Sequence, residues 1–270
     1  MKLTLIGAGA MGEALLTGWL ASGWAADDIA IVEPAASRAE EITARHGVRA
    51  VELPEAGSAD VVVLAVKPHQ IVRVLGEIRE GLGDDAVVVS IAAGVPIAQL
   101  EANLPDGAAA IRVMPNTPAL VGEGMAGIVR GQNATDEHLA TVTSLMEAVG
   151  KATVIEEKYI DALTSVSGSG PAYLFYVADA MIEAGVHQGL TRAEATELTV
   201  QTFVGSAAML ATGTPAATLR EQVTSPAGTT AAALRVLDER GVRAAFLAAM
   251  EACVERGREM AHRPPTVAAR

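Results

Sequence analysis

Short unbroken runs of Val, Ile and Leu recur through the first half of the chain, at Leu3–Ile6, Ile29–Val32, Val61–Val66, Val87–Ile91 and Ala110–Met114. None alternates apolar with polar positions, so both faces of each predicted strand must be covered. That pattern belongs to a parallel sheet flanked by crossover helices. The stretches between, such as Met11–Ser22 and Ser37–His46, carry helical spacing. Gly127–Val129 and Thr153–Ile155 flank a predicted helix at Asp136–Val149 and would extend the sheet. After Glu156 the strand pattern ceases. Tyr159–Val166 reads as a helix, Ser167–Pro171 breaks or redirects it, and Ala172–His187 is a second helix that stops at Gly189. Thr191 and Glu194 make a capping-box pair opening a long helix to about Thr212. Thr214-Pro215 starts a short helix with proline at its first position. Thr230–Arg240 and Val242–His262 are helical, separated by Gly241, and the tail from Arg263 is expected to fray. The pattern therefore predicts two domains. Residues 1–156 form an α/β, doubly wound domain, and residues 157–270 an all-α one.

Composition narrows the function. Half of the 270 residues are hydrophobic and 19% are charged, ample for two cores and wrong for a disordered chain. The net charge is −12, with 20 acidic and 10 basic residues in 1–156 and 12 and 10 in 157–270. No basic face is visible, which argues against nucleic acid as a partner. One cysteine, Cys253, excludes an internal disulfide framework and reads as a small helix-core residue. The five histidines (His46, His69, His138, His187 and His262) have no paired ligand spacing, so no metal is expected. The apolar start MKLTLIGAGAMGEALL is interrupted by three glycines and Glu13, unlike a signal peptide. The longest uncharged run, Leu198–Leu219, holds five Thr and a Gly-Thr-Pro break and suits a buried helix better than a membrane span. The expectation is a cytoplasmic protein with no membrane partner.

Chemistry concentrates after the strands. Leu3–Ile6 runs into Gly7-Ala8-Gly9-Ala10-Met11-Gly12, a G-x-G-x-x-G loop opening a helix. Gly7 permits the tight turn, Gly9 admits a pyrophosphate to the backbone, and Gly12 lets helix and strand pack closely. The helix N-terminus then supplies N–H groups and a favourable dipole to the anion. Glu33, 21 residues after Gly12, ends the second strand, where a carboxylate binds ribose hydroxyls and repels a 2′-phosphate. That favours NADH, although Ser37 and Arg38 follow and Arg38 could reach a phosphate. Ala65-Val66-Lys67-Pro68 and Ala92-Ala93 close the third and fourth strands on the same side. Arg112-Val-Met-Pro-Asn116-Thr-Pro ends the fifth in a rigid loop, placed where a nicotinamide would lie. Lys67 and Arg112 have an equally plain reading as structural ion-pair residues.

In the helical half, Thr224-Ser-Pro-Ala-Gly-Thr-Thr230 opens a helix. Free N–H groups there, with the hydroxyls of Ser225, Thr229 and Thr230, would suit a carboxylate; a simple N-cap is the alternative. A strong positioned acid for carbonyl reduction is missing, since Lys158 is the only lysine of this half. A protonated imine needs less help, because hydride addition neutralises a charge already present, and a hydroxyl such as Thr230 could orient it. Ala207–Leu210, Leu174–Val177 and Ala231–Leu234 offer more apolar faces than one chain's helices can cover, and Gly205–Ala208 are small enough for close helix approach. An obligate homodimer through residues 157–270 follows.

In order and spacing, GAGAMG, AVKP, RVMPNTP, DALTSVSGSGPAY and VTSPAGTTAAAL resemble the pyrroline-5-carboxylate reductases, across nearly the whole chain. The resemblance implies a Rossmann-type domain and NAD(P)H-dependent reduction of a cyclic imine to proline. It also implies a dimer with interlocked helical domains, assembled into larger rings such as a decamer. It marks Gly7–Gly12, Ala65–Pro68, Ala92 and Ala93 as cofactor contacts, beside Asn116 from the loop after the fifth strand, and Ser225, Gly228, Thr229 and Thr230 as the substrate pocket. The family pattern there is SPGGTT, and this chain carries Ala227 for a glycine. Two alternatives share parts of the plan: a β-hydroxyacid-type dehydrogenase, which expects a lysine after SGSGP, and an NAD(P)-sensing protein, which leaves the SPAGTT loop unused.

Overall fold

The computed structural model describes residues 1–262; the tail from Arg263 lies outside them. It divides into two compact units. Among the described residues, one comprises 1–169 with the chain from Cys253 to His262, the other Gly170–Ala252. This division falls later than the change of pattern at 156, because the segment after Glu156 packs on the sheet: a side chain on Gly127 would run into Leu163.

The first unit is built on eight strands: β1 (Leu3–Ile6), β2 (Ile29–Val32), β3 (Arg49–Ala50), β4 (Val61–Leu64), β5 (Val87–Ser90), β6 (Ala109–Met114), β7 (Gly124–Arg130) and β8 (Gly150–Val154). Their order is β3-β2-β1-β4-β5-β6-β7-β8. The first six run parallel; β7 is antiparallel to β6, and β8 follows β7. The continuous apolar runs do what their composition requires. Leu3, Leu5, Val61, Val63, Val87 and Val89 enter a core with Leu15, Leu16 and Trp19 of α1 (Ala10–Ala21), Ile42 of α2 (Ala36–His46), and Val142 and Leu145 of α5 (Asp136–Glu147). The alternate residues Ile6, Val62, Leu64 and Val88 meet α3 (Ile71–Ile78) and α4 (Ile97–Glu101) on the other face. Trp19, fully buried, donates its indole N–H to the Leu145 carbonyl at 3.0 Å, so its one polar atom is satisfied. The strand order reverses between β1 and β4, which opens a crevice at their carboxyl ends.

After β8 come α6 (Ile160–Leu163) and a π-helical turn over Thr164–Gly168, and helical structure begins again at Gly170. Ser169 Oγ lies 3.3 Å from Cys253 Sγ, which is half-buried.

The helical unit contains α7 (Gly170–His187), α8 (Arg192–Ala211), α9 (Ala216–Gln222), α10 (Thr229–Glu239) and the first half of α11 (Val242–His262). The capping box is formed: Thr191 Oγ1 accepts from the Glu194 N–H at 3.2 Å, and Glu194 accepts from the Thr191 N–H at 2.8 Å. Pro215 takes the N-cap of α9, one position earlier than the sequence pattern suggests. Side by side, α7 and α8 bury little: among the described residues of this unit, Ala195 and Thr199 are the buried ones. Phe175, Tyr176, Leu198, Val204 and Leu247 are all exposed.

Candidate functional site

The carboxyl ends of the parallel strands converge on one cavity of about 1140 Å³. Its floor is set by backbone bonds that hold the end of β1 between its neighbours: the Gly7 N–H donates to the Val32 carbonyl and the Ala65 N–H to the Ile6 carbonyl, both at 2.8 Å. Gly7 adopts φ +98°, and a Cβ on Gly12 would lie 2.2 Å from the Gly7 carbonyl oxygen, so turn and helix exclude side chains at both positions. Gly9 is different. Its φ of −69° suits any residue, and a Cβ there would meet no protein atom within 4 Å. Neither backbone nor packing calls for glycine at Gly9. What remains is the cavity it lines, where a side chain would occupy the space in front of the α1 N-terminus. A dinucleotide pyrophosphate fits that cradle, met by the free N–H groups of the first turn of α1.

Twelve of the fourteen residues marked from sequence as cofactor contacts line this cavity: Gly7, Gly9, Ala10, Met11, Gly12, Glu33, Ala65, Val66, Lys67, Pro68, Ala92 and Ala93. The other two do not. Ala8 is completely buried, its N–H given to Glu33 and its carbonyl to Arg38. Asn116 sits beneath the loop as a brace: its Oδ1 accepts from the Met125 N–H at 2.8 Å and its Nδ2 donates to the Ser167 carbonyl at 2.9 Å, tying the end of β6 to β7 and the π turn. Its neighbours Met114 and Pro115 line the cavity instead. Arg112 takes the structural role. It is buried and donates to Glu157 at 2.8 Å, while the same carboxylate oxygen accepts the Ile97 N–H at 2.7 Å.

Glu33 accepts from the Ala8 N–H at 3.0 Å and the Ala35 N–H at 3.1 Å, which fixes its carboxylate at the cavity wall. Among the described residues no cation pairs with it. Glu52, Leu53, Arg73 and Val74 also line the cavity and carried no motif in the sequence. Glu52 and Leu53 follow β3, a strand too short to be read; seen as a strand, it would have pointed to them as the residues at its carboxyl end.

The SPAGTT loop belongs to the helical unit. Gly228 is the N-cap of α10, and the Gly228 N–H closes a turn onto the Ser225 carbonyl at 3.0 Å. Ala227 has φ 56°, the left-handed region that glycine occupies at lower cost. Among the described residues no hydrogen bond engages the hydroxyls of Ser225, Thr229 or Thr230, so all three are available to a ligand together with the first N–H groups of α10.

Comparison with known proteins places both halves. Residues 2–94 match the family described as NADP oxidoreductase coenzyme F420-dependent, and residues 157–260 match Pyrroline-5-carboxylate reductase dimerisation. The pyrroline-5-carboxylate reductase of Corynebacterium melassecola is 44% identical over 264 residues, covering 96% of this chain and 98% of the relative. The chain belongs to the pyrroline-5-carboxylate reductase family. Its structure agrees: the reductase from Coxiella burnetii superposes with a TM-score of 0.92 at 35% identity, covering 97% of this chain and 99% of that one. The Plasmodium falciparum enzyme, solved with NADP bound, gives 0.86 at 30% identity, covering 97% and 98%. As a member of this reductase family the chain is an NAD(P)-dependent oxidoreductase, and its helical half is an oligomerisation module.

Proposed function

We propose that the chain reduces 1-pyrroline-5-carboxylate to L-proline, the last step of proline biosynthesis, with a reduced nicotinamide coenzyme held in the cavity. The full-length match to pyrroline-5-carboxylate reductases carries this reading, and the open space at Gly9 supports the cavity as the coenzyme's site. A reduced nicotinamide bound there would supply the hydride for the C=N carbon. Gly9, Ala10 and Met11 hold the pyrophosphate; Glu33 accepts ribose hydroxyls, so NADH binds at least as well as NADPH. Ser225, Gly228 and Thr229 hold the substrate carboxylate at the start of α10, and Thr230 orients the imine nitrogen as its positive charge is neutralised. The same reading gives a cytoplasmic homodimer formed through residues 157–270, the unit from which a decamer would be built.

Coenzyme oxidation measured with 1-pyrroline-5-carboxylate and with a panel of keto acids tests the assignment. Turnover confined to the cyclic imine supports it. Equal or better turnover of a keto acid replaces it with a β-hydroxyacid-type dehydrogenase, and coenzyme binding with no turnover replaces it with an NAD(P) sensor.

A further inference from the structure

Arg38 is the third residue of α2, between Ala36 and Ala39, which line the cavity, and its guanidinium is already committed. Nε donates to the Ala8 carbonyl at 3.0 Å, Nη1 to Glu41 at 2.7 Å and Nη2 to Glu13 at 2.5 Å. Glu13 is the centre of this cluster. It projects from the first turn of α1 and also takes Arg45 and, at 3.2 Å, His46 Nε2. With 20% of its side chain exposed and three basic neighbours, it forms a hub between two helices that otherwise share little. Burial alone would raise its pKa, but hydrogen bonds from Arg38, His46 and Arg45 outweigh that and hold it at about 2, so the hub is charged throughout the neutral range.

Glu33 and Arg38 both bond to residue Ala8, one through its N–H and the other through its carbonyl, yet they do not pair with each other. They stand on opposite sides of one residue, and only Glu33 lines the cavity. A ribose with a free 2′-hydroxyl suits a carboxylate. A 2′-phosphate is matched best by the paired donors of an arginine fork, and the fork anchored on the same residue as Glu33 is spent on two carboxylates. We propose that Glu13 is a coenzyme-selecting residue: by holding Arg38 it withholds the cation that a 2′-phosphate would require and leaves Glu33 to face the ribose, selecting NADH. Glu13 acts through Arg38 and is a positioning residue. The proposal rests on the reading of the cavity as the NAD(P)H site.

Binding decides it without turnover. NADH, NADPH and the fragments 5′-ADP and 2′,5′-ADP are titrated against wild type, Glu13→Gln, Arg38→Ala and the double variant. Glu13→Gln keeps the shape and removes the charge. With Nη2 released from its carboxylate, while Nε and Nη1 keep Ala8 and Glu41, Arg38 then raises the NADPH-to-NADH affinity ratio about tenfold, the scale of one charge-assisted phosphate contact, and raises the 2′,5′-ADP-to-5′-ADP ratio in parallel. The double variant loses that gain, and Arg38→Ala alone moves the ratio by less than about threefold. A role confined to stability would change both coenzymes equally and leave the ratio in place, which overturns the proposal. So would a loss of NADPH affinity of tenfold or more in Arg38→Ala alone, a result that decides the matter even where Glu13→Gln does not fold. Wild type that binds neither NADH nor 5′-ADP removes the cavity reading itself, an outcome distinct from an unchanged ratio.

Discussion

Leu15 and Leu198 sit in the middle of long helices in the two units. The first is completely buried, the second 57% exposed. The difference extends to their surroundings. Around Leu15 the sheet buries apolar side chains on both faces, with helices closing each side. Around Leu198, α7 and α8 pack against each other and leave Phe175, Tyr176 and Val204 uncovered. Exposed apolar area on that scale marks an interaction surface. Local signals in the helical unit are sound: Thr191 and Glu194 cap α8 as their spacing requires. It lacks a second layer, which a second copy of the same chain would supply. One unit is closed on both faces of its sheet, and the other carries uncovered apolar faces on a module that supports oligomerisation.

If that contrast is right, the two units respond differently to damage. The largest expected effect is Leu15→Ala, which opens a cavity in a fully buried core and should cost about 2–5 kcal/mol, independent of protein concentration. Chemical denaturation at two concentrations reads it; a concentration-dependent loss would blur the distinction. Next comes chemistry in the helical unit: Thr230→Ala should lower kcat/KM by roughly 10–1000-fold with coenzyme affinity unchanged, measured by steady-state kinetics beside coenzyme titration. Loss of coenzyme binding in that variant would contradict the division of labour between the units. In the scaffold, Glu33→Ser removes the carboxylate at the ribose and should shift preference toward NADPH by about tenfold. A wild-type preference of tenfold for NADPH would refute the role of Glu33.

The smallest effect belongs to the hub joining α1 and α2. The pKa of Glu13 is depressed in the folded state, from 4.5 to about 2, so its stabilisation is complete above pH 4.5 and is lost as pH falls toward 2. Glu13→Gln should therefore be less stable than wild type by about 1 kcal/mol near neutral pH, with the gap closing below pH 4.5. Urea unfolding at several pH values follows it, and a gap that widened on acidification would have the wrong sign.

How much of this was legible in the sequence depended on whether a signal is local. Continuous Val runs announced the buried strands because a two-sided parallel sheet demands them, and the glycine loop announced its turn. β3 was missed because Arg49 and Ala50 are two exposed residues with no apolar pattern. The antiparallel turn of β7 against β6 depends on the path of the connecting loop, which composition does not encode. At the site, most of the residues that directly follow strands line the cavity, while Ala8 and Asn116 lie behind their cavity-lining neighbours, bonded to Glu33 and Met125. Glu13, Arg38 and Arg45 come from two helices, and nothing short of the folded structure brings their charges together. The left-handed φ at Ala227 was hinted at only by the glycine that the family pattern carries there.

The central claim is that the helical unit is completed only by a second copy of the chain. Sedimentation velocity over a dilution series, read beside helical circular dichroism and activity, tests it most directly. The account predicts a homodimer at micromolar concentration, with helical signal and activity falling together as dilution dissociates it. A well-folded, fully active monomer would contradict it.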